Sequence, residues 1–499
     1  MISAFANIWR VPELRDRILF TLVMIVIVRL GVAITLPGVD ATVIDTWLDW
    51  RVKNDEGGSA IGVLLNVFSG GALQQCGIFA LGIMPYISSS IMMQLMTAVV
   101  PKLAKLSREE GGRQKINQYT RFITIIIAVV QGFLLAQTLQ NPASIPYMEG
   151  IDVHGGGPLV PDQGMSFVLI TVLTILAGTM LLMWIGDQIT ERGIGNGISL
   201  IISVNIIAAL PGALVQAFNT YVSAEAAAEN PFKPMILVGL VALLLVVIAA
   251  VIAITQAQRR IAIQYAKRVR GKQLTGQQTQ YLPLKVNYSG VMPIIFASAI
   301  LSLPTMLLRS AFAGKAWAAS LGDILNPPSI WFYFISAGMI FFFSYFWVAT
   351  MFQPSEIAEN LKKSGGYVPG VRPGKPTADF LDYTMTRLTF AGALFLTGVY
   401  AIPSLLSMTT NLSFIVTSFF GGTSLLILVG VLLDILRQTE THLLQRHYDG
   451  FLRKGKIKGR YERGQGGSGK TASSSMLVYL WTFAAVLILI GVMAWLNKG

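Results

Sequence analysis

Eleven apolar stretches of about 20 residues each recur along this chain and constrain its fold more than any other feature. A helix needs about 20 apolar residues to cross the hydrocarbon core of a bilayer. Only 13% of the residues are charged, whereas soluble domains carry about 25%. The pattern therefore predicts an all-α polytopic membrane protein. The predicted spans lie at about 18–37, within 68–97, and at 122–139, 166–186, 198–218, 235–255, 290–308, 331–351, 388–408, 414–436 and 476–496.

The basic residues between these stretches alternate between a rich side and a poor side. Thirty-one of the 38 lysines and arginines lie in loops on the side of the N-terminus, and five lie in the opposite loops. Cytoplasmic loops are enriched in these residues, so the alternation predicts a cytoplasmic N-terminus. The first stretch lacks the short apolar core and cleavage site of an export signal, so we expect it to remain as a membrane anchor.

The segment Phe68–Thr97 combines an apolar run with unusual polarity. Ile83 and Ile87 lie four residues apart on one helical face, while Ser90 and Gln94 lie four apart on a neighbouring one. Hydroxyl and amide groups need partners in hydrocarbon, so this helix is expected to face protein or water. A pore lining with an apolar collar fits the pattern, and so does an ordinary packed helix of a transporter bundle.

Two large basic loops, 256–287 and 354–387, lie on the predicted cytoplasmic side. Residues 362–376 (KKSGGYVPGVRPGKP) are rich in glycine and proline, which disfavours long regular elements. A flexible basic finger that docks on an acidic partner fits this composition. A segment that contacts lipid headgroups fits it equally well.

Few residues are placed for catalysis, metal binding or ion coupling. The single cysteine, Cys76, excludes an internal disulfide and a thiolate cluster, and the three histidines lack metal-ligand spacing. Arg29 and Asp434 are the ionisable candidates inside spans, whereas ion-coupled carriers usually bury more acidic groups. Arg29 fits either a functional role or pairing within the bundle. We therefore expect neither enzymatic activity nor a cofactor, and a small-molecule secondary transporter is the alternative function.

Residues 464–471 (GQGGSGKT) formally match a phosphate-binding loop. Such a loop requires a preceding strand and a following helix, so that backbone amides converge on phosphate. Here RYER precedes the motif, and the last apolar stretch follows it. The segment is predicted to be a Gly/Ser linker, with a membrane-bound NTPase as a third alternative.

Several long stretches, in order along residues 1–452, together resemble the SecY family of bacterial protein-conducting channel subunits. They are FALGIMPYISSSIMMQL (79–95), WIGDQITERGIGNGISLI (184–201), QAQRRIAIQYAKR (256–268), LPLKVNYSGVMPIIFASAI (282–300), NLKKSGGYVPGVRPGKPTADFL (360–381) and FGGTSLLILVGVLLD (420–434).

The resemblance implies two inverted halves of five helices each around a central pore, at 18–218 and 235–436. Residues 1–17 would form a cytoplasmic amphipathic start. The family pattern ends near residue 452, so residues 437–475 are expected to form a cytoplasmic tail and linker. Residues 476–496 would then be one extra transmembrane helix, which does not resemble the SecE partner.

The family's pore narrows at a ring of aliphatic side chains, and all six matching positions are isoleucine in this sequence. They are Ile83, Ile87, Ile198, Ile202, Ile295 and Ile427. A narrow apolar ring seals by dewetting and offers no polar group to hold ions. The family's plug corresponds to residues 61–73. Its candidate residues are Ile61, Leu64, Leu65, Val67, Phe68, Gly70 and Gly71.

The family's lateral gate lies between the second and seventh spans. The matching side chains are Ser90, Gln94, Thr97 and Pro293. The basic loops around Arg259, Arg260 and Arg372 match those that dock the ribosome or the motor ATPase SecA in the family.

The resemblance implies the central channel subunit of a Sec translocase in the bacterial cytoplasmic (inner) membrane. It would pass unfolded secretory chains outward and release hydrophobic segments sideways into the bilayer. The implied partners are the SecE and SecG subunits, SecA, the ribosome, secretory and membrane-protein substrates and membrane lipids, but not DNA. Energy would come from a partner or from the membrane potential.

Overall fold

The structure is a computed structural model that describes residues 12–54, 69–109, 111–140, 151–222, 233–265, 269–270, 273–274, 279–311, 316–325, 329–410, 417, 419 and 422–453. The helices within these residues are α1 (Pro12–Val32), α2 (Ala41–Asn54), α3 (Met84–Val99), α4 (Pro101–Arg108), α5 (Gly112–Gln140), α6 (Ile151–His154), α7 (Met165–Arg192), α8 (Gly197–Tyr221), α9 (Lys233–Gln256), α10 (Met292–Ala311), α11 (Ala316–Ile324), α12 (Ile330–Met351), α13 (Pro354–Lys363), α14 (Lys375–Thr410) and α15 (Gly422–Arg453). The strands are β1 (Gln258–Tyr265), β2 (Val269–Arg270), β3 (Gln273–Leu274), β4 (Thr279–Lys285) and β5 (Gly366–Tyr367).

Seven of the described helices are long and apolar enough to cross a membrane, and the bent pair of α3 and α4 raises the number to eight. The bend of 105° falls where Val100 is extended in front of Pro101, because proline disfavours a helical residue before it. Each of the first ten predicted spans falls on a described helix, which confirms the all-α polytopic class. The span at 476–496 lies outside the described residues, and the division at 18–218 and 235–436 stays a prediction.

The segment between residue 69 and α3 enters the helix bundle as a series of turns. It pairs with the residues that follow α1: the Ile78 N–H donates to the Ile34 carbonyl at 2.9 Å, and the Leu36 N–H donates to the Cys76 carbonyl at 2.8 Å. On its other side, a Cβ on Gly178 of α7 would collide with the carbonyl oxygen of Ile78. Helix α7 can therefore lie against this segment only because position 178 carries no side chain.

Replacing Gly178 with valine is expected to destabilise the fold, because the colliding atom belongs to the backbone and cannot rotate away. Overpacking of this kind costs about 1–3 kcal/mol or more. Thermal unfolding of the purified protein in detergent measures the effect. The matched control is Gly398→Val in α14, where an added Cβ meets nothing within 4 Å. Equal melting temperatures for the two variants would contradict the packing described here.

A small antiparallel sheet forms on the predicted cytoplasmic side. Strand β1 pairs along its length with β4, and β5 joins the other edge of β1 through Gln264↔Tyr367 and Tyr265↔Gly366. These strands were not predicted from the sequence, although the alternation in QRRIAIQY is typical of one. The interpretation of 362–376 as a flexible finger is corrected in part. Strand β5 and the buried Val368 attach this segment to a folded unit.

Candidate functional site

Six isoleucines from four helices pack in one hydrophobic cluster, hereafter the isoleucine cluster. Two come from the start of α3, two from the start of α8, and one each from α10 and α15. They are Ile83, Ile87, Ile198, Ile202, Ile295 and Ile427. Five are 1–7% exposed, and Ile198 is partly buried against them. The structure thus brings together every residue that the family resemblance implied for the ring.

Two helix starts position four of these side chains. Helix α3 begins directly after Ile83 with proline in its first turn, which is pre-organised for that position. Helix α8 begins after Asn196, whose side-chain oxygen accepts a hydrogen bond from the Ser199 N–H at 3.1 Å. This cap satisfies one amide at the helix start. Each helix therefore presents two isoleucines, one turn apart, from its first turns.

The surroundings of the isoleucine cluster are apolar as well. Ile91, Ile201 and Phe296 belong to the same buried group, and Phe296 meets Phe343 edge-to-face with ring centroids 5.7 Å apart. The six isoleucines themselves offer methyl and methylene groups and no hydrogen-bonding atom. Such an arrangement can exclude water and ions, but it cannot bind an ion or read a particular sequence.

The predicted plug lies largely outside the described residues, which include none of Ile61, Leu64, Leu65, Val67 and Phe68. Gly70 and Gly71 are described, and both have positive φ, at +70° and +96°. The next residue, Ala72, is fully buried in the same group as the six isoleucines. The C-terminal end of the predicted plug therefore lies beside the isoleucine cluster.

Helix α2, which precedes the predicted plug in the chain, is capped by Asp40. Its Oδ1 accepts hydrogen bonds from the Thr42 hydroxyl at 2.7 Å and the Thr42 N–H at 2.9 Å. These hydrogen bonds, the hydroxyl one above all, hold the pKa of Asp40 below its ordinary value. Farther along α2, Trp50 stacks on His154 with ring centroids 3.8 Å apart, which packs α2 against α6.

The predicted gate residues lie on α3 and α10, and these two helices contact each other. On α3 the side-chain amide nitrogen of Gln94 donates to the Ser90 hydroxyl at 3.3 Å. The Thr97 hydroxyl donates to the backbone carbonyl of Gln94 at 2.7 Å. Within the described residues, the side-chain oxygen of Gln94 is buried without a hydrogen-bond partner. Pro293 is buried near the start of α10. The structure does not bring Pro293 into a polar contact with the three α3 residues.

Sequence reasoning missed the role of Ser89, which is fully buried. Its hydroxyl donates to the Thr120 carbonyl at 2.7 Å and lies 2.7 Å from the Thr124 hydroxyl on α5. Farther out, Arg121 of α5 and Asp187 of α7 form an ion pair at 2.6 Å. At Ser89 the polarity of α3 thus reflects helix packing and not a pore lining. The run of three serines was the available signal, but it does not reveal which one faces α5.

The predicted docking residues sit on one folded unit. Arg259 and Arg260 are exposed on β1, and Arg372 is exposed in the loop after β5. The pairing of β1 with β5 joins the two basic loops. An apolar cluster that includes Ile261, Val368 and Leu381 packs beneath them. The sheet therefore presents basic side chains from two distant parts of the chain on a single support.

The other motifs take no part in this site. Residues 464–471 lie outside the described part of the chain. Within it, no group of three or more His, Cys, Asp or Glu residues is placed to hold a metal ion.

The chain is similar in sequence to a described protein family. The family model described as SecY matches residues 77–436. A protein from Aquifex aeolicus described as protein translocase subunit SecY is 43% identical to this chain, over 90% of this chain and 98% of its own length. A protein with the same description from Streptomyces coelicolor is 42% identical to this chain, over 91% of this chain and 100% of its own length.

Solved structures show the same fold. One described as a protein-conducting channel has a TM-score of 0.54 at 15% identity, covering 89% of this chain and 95% of that one. In a second structure, the plug domain of the SecY protein is described as stabilising the closed state of the translocation channel. That structure has a TM-score of 0.56 at 16% identity, with the same coverage.

Proposed function

The chain belongs to the SecY family, and we propose on that premise that the isoleucine cluster is the constriction of its protein-conducting pore. The supporting observation is that four helices, far apart in the sequence, each contribute isoleucine to one cluster. An apolar constriction can close around a passing chain of any sequence, because it forms no specific hydrogen bonds. The protein would in this way conduct unfolded secretory chains as the central subunit of a Sec translocase.

The contact between α3 and α10 would be the lateral gate, through which hydrophobic segments leave for the bilayer. Its closed form is supported by the contact itself. Ser90, Gln94 and Thr97 would line one side of the gate, and Pro293 the other.

The sheet of β1, β4 and β5, with the loop after β5, would be the surface on which the motor or the ribosome docks. Arg259, Arg260 and Arg372 are exposed and cationic, which suits an acidic surface on the SecA motor or the phosphates of a ribosome. The proposed complex also contains SecE and SecG, and it resides in the bacterial cytoplasmic membrane with the N-terminus inside. A small-molecule transporter is not favoured, because the family match and the apolar cluster both support a protein channel.

Crosslinking of a stalled secretory precursor tests the polypeptide path. Single cysteines at Ile83 and Ile295, in a Cys76→Ser background with partner subunits and motor supplied, are expected to crosslink to the precursor. Both crosslinks should disappear when the motor is omitted, because the precursor then does not enter the pore.

The matched control is a cysteine at Ile201, which is as buried as the ring residues and belongs to the same apolar group, but is not a ring position. It should give little product. Equal crosslinking at all three positions, or none at any of them in an intact complex, would show that the isoleucine cluster is ordinary helix packing.

A further inference from the structure

Arg29 is a charged residue in the part of α1 that the sequence predicts to cross the membrane, and the structure shows its partner. Its Nη1 donates to the Gly70 carbonyl oxygen at 3.0 Å. The neighbouring Val28 and Val32 are buried in the same group as the six isoleucines. A charged side chain inside a bilayer is costly, and where it occurs it normally marks a functional contact. The contact here is with the backbone at the end of the predicted plug.

Gly70 is enclosed from two sides. A Cβ at this position would lie 2.7 Å from Arg29 Nη1 and would collide with the side-chain oxygen of Asn205 from α8. Its φ of +70° also favours glycine over other residues. The backbone of residue 70 is therefore clamped between side chains of two different helices, in a space that admits no side chain of its own.

The chain on the C-terminal side of this clamp is firmly attached. The Gly77 N–H donates to the Ala72 carbonyl at 2.7 Å, and Cys76 and Ile78 pair with the residues that follow α1. Between the two attachments, Gly71 has a φ of +96°, and an added Cβ there would meet nothing within 4 Å. Gly71 thus has a backbone conformation that favours glycine, its carbonyl accepts a hydrogen bond from the Gln75 N–H at 3.2 Å, and the clamp on Gly70 restrains rotation about it.

We propose that Arg29, together with Asn205, is a positioning residue that holds Gly70 against the isoleucine cluster and so sets how readily the closed channel opens. The proposal rests on the proposed function of that cluster. Residues 69–71 can leave their closed position only when the Arg29 hydrogen bond breaks. The strength of this bond therefore helps to decide which signal sequences are strong enough to open the pore.

Thiol accessibility in native membranes tests the clamp. In a Cys76→Ser, Ser69→Cys background, Arg29→Met is expected to raise the modification rate of Cys at position 69 by about tenfold or more, since a hydrogen bond to a charged group is lost. Arg29→Lys should restore part of the protection, because it keeps a charged donor. In the otherwise native chain, modification of the buried Cys76 should not change, because its backbone attachments remain.

Export of precursors with defective signal sequences is the functional readout, and it should rise in the Arg29→Met variant. The matched control is Arg15→Met, which removes the same charge from the exposed part of α1, where Arg15 pairs with Asp16. If position 69 stays protected in Arg29→Met, the clamp does not exist. If the modification of Cys76 accelerates equally, the effect is general loosening, and the proposal is wrong.

A second variant and the crosslinks at the ring test the clamp and the ring separately. If the Arg29→Met protein fails to accumulate, Asn205→Ala takes its place, and unchanged accessibility at position 69 then overturns the proposal. The crosslinks at Ile83 and Ile295 test the ring separately. Their loss in the unmodified channel would contradict the proposed function, whereas their presence with a protected position 69 would contradict the clamp alone.

Discussion

Replacing Ile427 with asparagine is expected to make the closed channel leak ions and export precursors with defective signal sequences. Ile427 is 1% exposed within the isoleucine cluster, so the new amide would be buried among side chains that cannot pair with it. An unpaired polar group of this kind costs about 1–3 kcal/mol in proteins, which corresponds to roughly a 5- to 150-fold shift toward the open state. In the open channel the amide would be hydrated and would pay no such cost.

Ion conductance of reconstituted vesicles and export of a signal-defective reporter are the two measurements. Ile201→Asn is the matched control, because Ile201 has the same burial of 1% in the same apolar group but is not a ring position. It should lower the melting temperature without raising conductance. Ile427→Val, which removes one methylene group and adds no polarity, should remain sealed. Wild-type conductance and export in Ile427→Asn would show that this residue does not form the seal.

Reversing the charge of Arg372 is expected to weaken motor docking by about tenfold or more at low salt. The loop should keep its shape, because the Arg372 carbonyl accepts a hydrogen bond from the Thr377 hydroxyl at 2.8 Å and this contact does not involve the guanidinium. Arg372→Glu therefore changes the charge of the surface without removing its support. The difference between variant and wild type should shrink as salt is raised, since mobile ions screen exposed charges.

The affinity of the purified motor ATPase for vesicles that contain the channel measures this effect, together with translocation in the same vesicles. Arg113→Glu is the matched control, because Arg113 is exposed on α5 and lies on the same predicted face outside the docking surface. Ion conductance should be unchanged in both variants. Equal loss of affinity in the two variants would assign the attraction to the overall charge of the face and not to the sheet.

The helices were predicted from a local pattern, the apolar stretches of about 20 residues. The predicted span at 198–218 corresponds to α8 and the one at 235–255 to α9, within a few residues at each end. The strands were harder to predict from the sequence, because β1 is stabilised partly by β5, whose residues follow about 100 positions later. Strand β5 also lies in a segment rich in glycine and proline. A two-residue strand leaves no periodic pattern in its own sequence.

In the candidate site, too, the local sequence predicted some features and contacts between distant residues decided others. The spacing of Ile83 and Ile87 predicted one apolar face on α3, but spacing alone favoured an ordinary packed helix over a pore lining. The family resemblance named the partner positions, and the structure placed them in one cluster. At Ser89 the packed-helix interpretation holds, because the hydroxyl bonds to α5. Neighbouring positions on one helix thus take different roles according to the helix that each faces.

By itself, the sequence determined that this chain is a helical multi-pass membrane protein, and it predicted which side its basic loops occupy. Both follow from local quantities, since hydrocarbon thickness sets the length of a span and every backbone amide must be paired within it. Only the tertiary structure decided that Arg29 bonds to Gly70 and that Gln264 pairs with Tyr367. Such contacts join residues tens of positions apart, and they depend on how whole helices pack, which no window of the sequence contains.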